Sequence, residues 1–195
     1  MSRVAVAALI LAGGQSSRMG QDKALIAFQG KPLLRSVCDV AITCCGAVYL
    51  LTPWPERYTE ILPEACMALQ ELNAGQGPLV ALAQGLGEIQ ADWVLLLACD
   101  LPRLDSRILQ IWIGQLPQVP KSTLAVVPYQ STRWEPLCGF YRPISQSHLG
   151  QFIQQGGKSF QVWLSQIQVQ SLAVDSSIAA MLHNCNTPED LSNYT

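Results

Sequence analysis

The chain has 195 residues, 49% of them hydrophobic and only 13% charged, with a formal net charge of −2. That length suits one domain with a sizeable core, and the charge balance speaks against a basic surface for nucleic acid. No uninterrupted apolar segment approaches the length of a membrane span.

Cysteine and histidine usage narrows the chemistry further. The seven cysteines (Cys38, Cys44, Cys45, Cys66, Cys99, Cys138 and Cys185) are odd in number and form no C-x-x-C pair. Neither a disulfide framework nor a zinc site is indicated, and most are expected to be small buried hydrophobes. Only His148 and His183 are present, so a histidine metal site is not expected, and both are read as structural or surface residues. Arg3 followed by apolar residues 4–12 has the charge and length of a secretory leader. Two features oppose that reading. Cleavage would destroy the motif directly after it, and seven cysteines suit a reducing, cytoplasmic compartment.

The first element is an apolar run over residues 4–11, which reads as a strand buried on both faces. It leads into Gly13-Gly14-Gln15-Ser16-Ser17-Arg18-Met19-Gly20-Gln21-Asp22-Lys23. Glycines let backbone N–H groups converge on one point, and such a nest binds anions. Arg18 and Lys23 add the cations that a polyphosphate needs. This is no Walker A loop, because Gly20 precedes Gln21 and Asp22 rather than Lys, and no G-x-G-x-x-G occurs in it.

Residues 24–28 read as a short extended piece turned by Gln29-Gly30. Pro32 is expected at the first position of a helix running to about Cys45. A second strand spans 47–52, and Pro53, Pro55 and Pro63 break up the stretch after it. Gly77-Pro78 opens a helix through about Ile89. Residues 93–99 form a central strand, followed by a helix at 106–116, strands at 123–127 and 137–141, helices at 144–154 and 159–166, and a late strand at 168–174. Thr187-Pro188-Glu189-Asp190 has the order of a helix start. Alternating strands and helices predict an α/β fold.

Asp100 comes just after the central strand, so it is expected at the C-terminal edge of the sheet, on the side of the glycine loop, where open α/β sheets bind ligands. Magnesium usually takes one or two carboxylates together with water and phosphate oxygens, so one Asp there suffices. Asp22 and Asp105 read as a loop acid and a helix-start residue.

The segments LAGGQSSRMGQDKA (11–24), QGKPLL (29–34), GPLVAL (77–82), ACDLP (98–102), WEPLCGFY (134–141), GGKSFQVWL (156–164) and NCNTPEDL (184–191) together resemble the molybdenum cofactor guanylyltransferase family, MobA. The first motif is shared with many nucleotidyltransferases; the last two narrow the choice. The resemblance implies a three-layer α/β sandwich with a mostly parallel central sheet. Within one domain over residues 1–195, the N-terminal half would bind nucleotide and the C-terminal half the acceptor. It also implies transfer of GMP from GTP to molybdopterin with Mg²⁺, and transient contact with molybdoenzymes or other cofactor-synthesis proteins.

The same resemblance assigns residues. Leu11, Ala12, Gly13 and Gly14 would meet the nucleotide, Arg18 and Lys23 its phosphates, and Asp100 the metal. Asn184 and Asn186 would belong to the pterin side, with Lys158 a candidate for the pterin phosphate. Trp134 and Trp163 are candidates to flank the pterin, whereas Trp93 and Trp112 are expected in the core and Trp54 as a loop cover. The family often has Asn where this chain has Thr52, an Asp for which Glu71 is the nearest match, and Gly-Pro-Leu-Ala-Gly where this chain has Gly77-Pro78-Leu79-Val80-Ala81. These departures bear on the base contacts. A cytidylyltransferase or sugar-phosphate enzyme of the same fold, and a non-catalytic carrier of nucleotide or cofactor, remain as alternatives.

Overall fold

The computed structural model describes residues 4–13 and 22–185. Its elements run β1 (Val6–Leu11), a 3-10 turn at Lys23–Leu25, β2 (Ala27–Phe28), β3 (Lys31–Pro32), α1 (Leu33–Cys44), β4 (Ala47–Thr52), a 3-10 turn at Pro55–Tyr58 and β5 (Cys66–Gln70). They continue with α2 (Pro78–Glu88), β6 (Trp93–Ala98), α3 (Ser106–Gln115), β7 (Ala125–Gln130), β8 (Arg133–Trp134) and β9 (Cys138–Tyr141). The last are α4 (Gln146–Gln154), α5 (Phe160–Leu164), β10 (Val169–Leu172) and α6 (Ser176–Met181).

One sheet has the order β10-β7-β9-β6-β1-β4-β5, with β8 attached to β7. β6, β1, β4 and β5 are mutually parallel, as are β7 and β10, while β9 runs antiparallel between β6 and β7. The order places β1 and β6 at the centre, which explains why both are continuous apolar runs. Alternate residues go to opposite faces. Ala8 and Ile10 of β1, with Leu95 and Leu97 of β6, meet α1, α3 and α6 through Val37, Trp112 and Met181. Ala7 and Leu9, with Val94 and Leu96, meet α2, α4 and α5 through Leu82, Leu149 and Trp163. The result is helix, sheet, helix, the three-layer arrangement that the family resemblance implies.

Local chemistry sets the element ends. Asp105 caps α3, its carboxylate accepting from Arg107 N at 2.7 Å. Gly77 stands before α2 with φ +92°, a conformation that glycine adopts without penalty. α2 lies close on β1 because Gly85 lacks a side chain; a methyl there would overlap Leu9.

Several boundaries differ from the sequence expectation. β1 begins at Val6 rather than residue 4. Ala24 and Leu25 belong to a 3-10 turn rather than to an extended piece, because Asp22 accepts from Ala24 N and closes the turn. Pro32 ends β3 and caps α1 from outside rather than opening it. β5 goes unpredicted because it is short and comes after a proline-rich stretch. β8 and α6 are likewise too short to show a period. The expected helix start at 187–190 lies outside the described residues.

Candidate active site

The register of the sheet assembles the site. Leu11 pairs with Leu51 of β4 and Ala98 of β6, and Thr52 pairs with Gln70 of β5. The chain segments leaving β1, β4, β5 and β6 therefore emerge side by side at one edge. Two backbone bonds extend the ladder past the strand ends, Ala12 N to Leu51 O at 3.1 Å and Glu71 N to Thr52 O at 2.8 Å. Gly13, Thr52, Glu71 and Asp100 are thus neighbours in the fold although far apart in sequence.

Gly13 is the tightest point. A Cβ on it would stand 2.6 Å from Pro53 Cδ and 2.9 Å from Glu71 Oε2. Thr52 is fully buried, and its hydroxyl accepts from Trp54 N at 3.2 Å, which turns the chain at the end of β4. Burial pushes the Glu71 carboxyl above its ordinary range. Gly77 lies at the solvent-exposed start of α2.

Lys23 and Asp100 meet across the edge. Lys23 Nζ lies 3.5 Å from Asp100 Oδ2, with side chains 20% and 15% exposed. Burial raises the Asp100 carboxyl above its ordinary range, and the Lys23 ammonium offsets this in part. Asp100 Oδ1 is buried without a hydrogen-bond partner among the described residues. Buried polar atoms are rarely left so, and an orphaned carboxylate oxygen at the C-terminal edge of the sheet suits a bound cation. No group of three or more His, Cys, Asp or Glu side chains is placed to hold a metal ion among the described residues. A cation here would therefore draw one protein carboxylate, Asp100, and complete its shell from substrate and water. Next to it, Cys99 is a poor nucleophile: burial, with the charges of Asp100 and Asp22, pushes its thiol up to about 12.

A cleft of about 290 Å³ begins at Leu101, the residue after Asp100. Leu101, Arg133, Trp134, Ser159, Gln161 and Asn184 are among the residues lining it. Asp100 and the Asn184 segment are tied directly, since Cys185 N donates to Asp100 O at 3.1 Å. Trp134 is held in place by Gln161, which accepts from Trp134 N at 3.0 Å and donates to Trp134 O at 2.8 Å. Tyr129 meets the Trp134 ring edge-on at 4.7 Å.

The structure thus brings Leu11, Ala12, Gly13, Lys23, Thr52, Glu71 and Asp100 to one edge and sets Asn184 beside it. Gly14, Arg18 and Asn186 lie outside the described residues. Lys158 is exposed and lines a second cleft with Phe152, Gln155 and Val162, and its neighbour Ser159 lines both this cleft and that of Asn184. The helix after it, α5, is only five residues long and is capped by the Ser159 hydroxyl.

Trp163 is a correction to the sequence reading. It is 1% exposed and stacks on Tyr141 at 5.8 Å in the core, so it cannot flank a ligand. Trp93 and Trp112 are core as expected, and Trp54 lies under the Arg57 guanidinium at 4.2 Å. Sequence reasoning missed Pro53, Tyr58, Arg133 and Gln161. Gln161 lies inside the GGKSFQVWL segment and was within reach; the others carry no motif signal.

The family comparison decides the class. Residues 8–169 match the MobA-like NTP transferase domain. A Nostoc sp. protein named probable molybdenum cofactor guanylyltransferase is 54% identical over 95% of this chain and 88% of its own length. A Synechococcus elongatus protein of the same name is 46% identical, covering 94% of this chain and 95% of its own. This chain belongs to the molybdenum cofactor guanylyltransferase family. It is accordingly a nucleotidyltransferase. The fold agrees. The crystal structure of molybdopterin-guanine dinucleotide biosynthesis protein A from Archaeoglobus fulgidus superposes with a TM-score of 0.80, at 21% identity, over 96% of this chain and 95% of that one. A nucleotidyl transferase from Methanothermobacter thermautotroptrophicus superposes with a TM-score of 0.74, at 15% identity, over 97% of this chain and 95% of that one.

Proposed function

We propose that the protein transfers GMP from GTP to the terminal phosphate of molybdopterin, releasing pyrophosphate. The observation that carries this reading is the position of Asp100. Its side chain faces Lys23 at the nucleotide edge, and its backbone is bonded to the segment that lines the neighbouring cleft. GTP occupies the edge formed by Leu11, Ala12, Gly13, Thr52 and Glu71, with Gly14 and Gly77 contributing to its binding. The acceptor occupies the cleft of Leu101, Trp134 and Asn184, with Asn186 and Lys158 contributing to its binding.

In the reaction an oxygen of the acceptor phosphate forms a bond to the α-phosphorus of GTP. The bond from that phosphorus to the β-phosphate oxygen breaks, and pyrophosphate leaves with the electron pair. The acceptor is already an anion, so no strong general base is needed. The protein's task is to bring two polyanions together and to stabilise the charge that moves onto the leaving group. Lys23 and Arg18, with the amides of Gly13 and Gly14, bind the transferring and leaving phosphates. Mg²⁺ held by Asp100 supplies further positive charge to the phosphate oxygens when bound.

We place the protein in the cytoplasm. All seven cysteines are free, which suits a reducing compartment, and among the described residues no helix is long and apolar enough to cross a membrane. Handover of the product to molybdoenzymes, or to other cofactor-synthesis proteins, would use transient contacts.

Thermal unfolding with GTP, CTP, ATP and UTP, each with and without Mg²⁺, tests the nucleotide half. At a hundredfold excess over Kd, a ligand stabilises by about 2.7 kcal/mol, or roughly 5–10 °C for a chain of this size. GTP is expected to give the largest Mg²⁺-dependent rise. A rise with CTP instead would indicate a cytidylyltransferase. Turnover with GTP and molybdopterin, abolished in Asp100→Ala, tests the chemistry; turnover by that variant at the parent rate would refute the metal role.

A further inference from the structure

Residues 53–58 come directly after β4 and touch the chain on both sides of residues 14–21. At one side Pro53 packs on Gly13, where a methyl would come within 2.6 Å of its Cδ. At the other, Tyr58 donates its hydroxyl to Asp22 Oδ2 at 2.7 Å, and Arg57 Nη1 donates to the same oxygen at 3.3 Å. Asp22 Oδ1 accepts from Ala24 N at 3.1 Å and so caps the turn Lys23–Leu25. That turn closes through Leu25 N to Asp22 O and Ile26 N to Lys23 O, both at 3.1 Å. The Lys23 ammonium, at the far end of this chain of contacts, lies 3.5 Å from Asp100 Oδ2.

A lysine side chain has a flexible four-carbon stem and makes no fixed fork of bonds. Its reach is set by where its backbone is held. Here the backbone is held by a capped turn, and the cap is bonded to a tyrosine that is itself 1% exposed within the core. Both carboxylate oxygens of Asp22 are engaged by protein donors. Burial, and then the hydrogen bond to Asp22 and its charge, push the Tyr58 phenol well above its ordinary range, so it stays a donor at any working pH.

We propose that Tyr58 and Asp22 are positioning residues for phosphate binding: the Tyr58–Asp22 hydrogen bond fixes the capped turn that sets Lys23 against Asp100. This rests on the reading of Lys23 as a phosphate ligand. It adds that the segment after β4 determines whether that lysine is in place.

The test is a double-mutant cycle on GTP binding with Mg²⁺, measured by calorimetry on the full chain as the parent, Tyr58→Phe, Lys23→Ala and the double variant. Tyr58→Phe removes one hydroxyl and keeps the ring that fills the core. It is expected to weaken GTP by about 3- to 10-fold in the parent background and to have no effect on top of Lys23→Ala. An equal loss in both backgrounds overturns the proposal, because Tyr58 would then act on the fold and not through Lys23. Parent-like binding by Tyr58→Phe overturns it too. Asp22→Ala, which keeps the Tyr58 ring in the core, serves as a second route. It is expected to match or exceed the Tyr58→Phe loss, again only where Lys23 is present, and a loss that persists without Lys23 counts against the proposal. If Lys23→Ala alone binds GTP as the parent does, both the proposal and the phosphate-ligand reading fall.

Discussion

Replacing Gly13 with alanine puts a methyl carbon 2.6 Å from Pro53 Cδ and 2.9 Å from Glu71 Oε2, where carbon contacts normally lie at about 3.5–4.0 Å. Gly13 is not among the glycines with positive φ, so the backbone itself tolerates alanine and the cost is steric. The Glu71 carboxylate can swing aside. Pro53 cannot: its ring is closed, it adjoins the fully buried Thr52, and its carbonyl accepts from Gln70 Nε2 at 2.9 Å. Relief must come from moving the end of β1 away from β4, against the Ala12 N to Leu51 O bond. Overpacking of this kind costs about 1–3 kcal/mol. For a chain of this size that lowers the thermal midpoint by roughly 2–12 °C. The same displacement moves the start of the phosphate loop, so stabilisation by GTP with Mg²⁺ is expected to fall as well. Differential scanning fluorimetry with and without GTP reads both effects. Gly114→Ala is the control, since nothing lies within 4 Å of its added methyl and the position is in α3. It is expected to leave GTP binding intact and to stabilise by about 0.5–1 kcal/mol. A Gly13→Ala protein with the parent's midpoint and the parent's GTP response would refute this steric account.

Asp100→Asn separates function from stability. The native carboxyl titrates above its unfolded value, chiefly through burial. The group therefore favours folding while protonated, and that contribution is lost as pH rises through the native pKa. At neutral pH the buried charge is a net cost, so the ligand-free Asn variant is expected to melt at or above the parent's midpoint. The gap should close toward about pH 4, while the Mg²⁺-dependent GTP response disappears; a large midpoint drop at pH 7 would contradict the burial argument. In the parent, Mg²⁺-dependent GTP affinity is expected to weaken on acidification at a pH above the ordinary carboxylate range, read by calorimetry across a pH series. Trp163→Phe removes an indole N–H that has no partner among the described residues. It is expected to cost far less than the roughly 3–5 kcal/mol of a Trp→Ala change and to leave the acceptor KM unchanged; a raised KM would return Trp163 to the acceptor site.

The class of fold was legible in the sequence, because β1 and β6 are central parallel strands and central parallel strands must be apolar on both faces. The candidate edge was legible as well, since Gly13 and Lys23 belong to one contiguous motif and Asp100 to another. Asp100 could be placed from sequence because the residue after a central strand can only emerge at the sheet's C-terminal edge. Everything else waited on the folded chain. Two tryptophans, Trp134 and Trp163, look alike in sequence. One lines a cleft and the other fills the core, because α5 turns one face to the sheet and reaches the hairpin after β7 through Gln161. The roles of Pro53 and Tyr58 were equally invisible. They act on Gly13 and Asp22 across strand pairings, and a pairing between distant segments leaves no period or spacing in the chain that makes it.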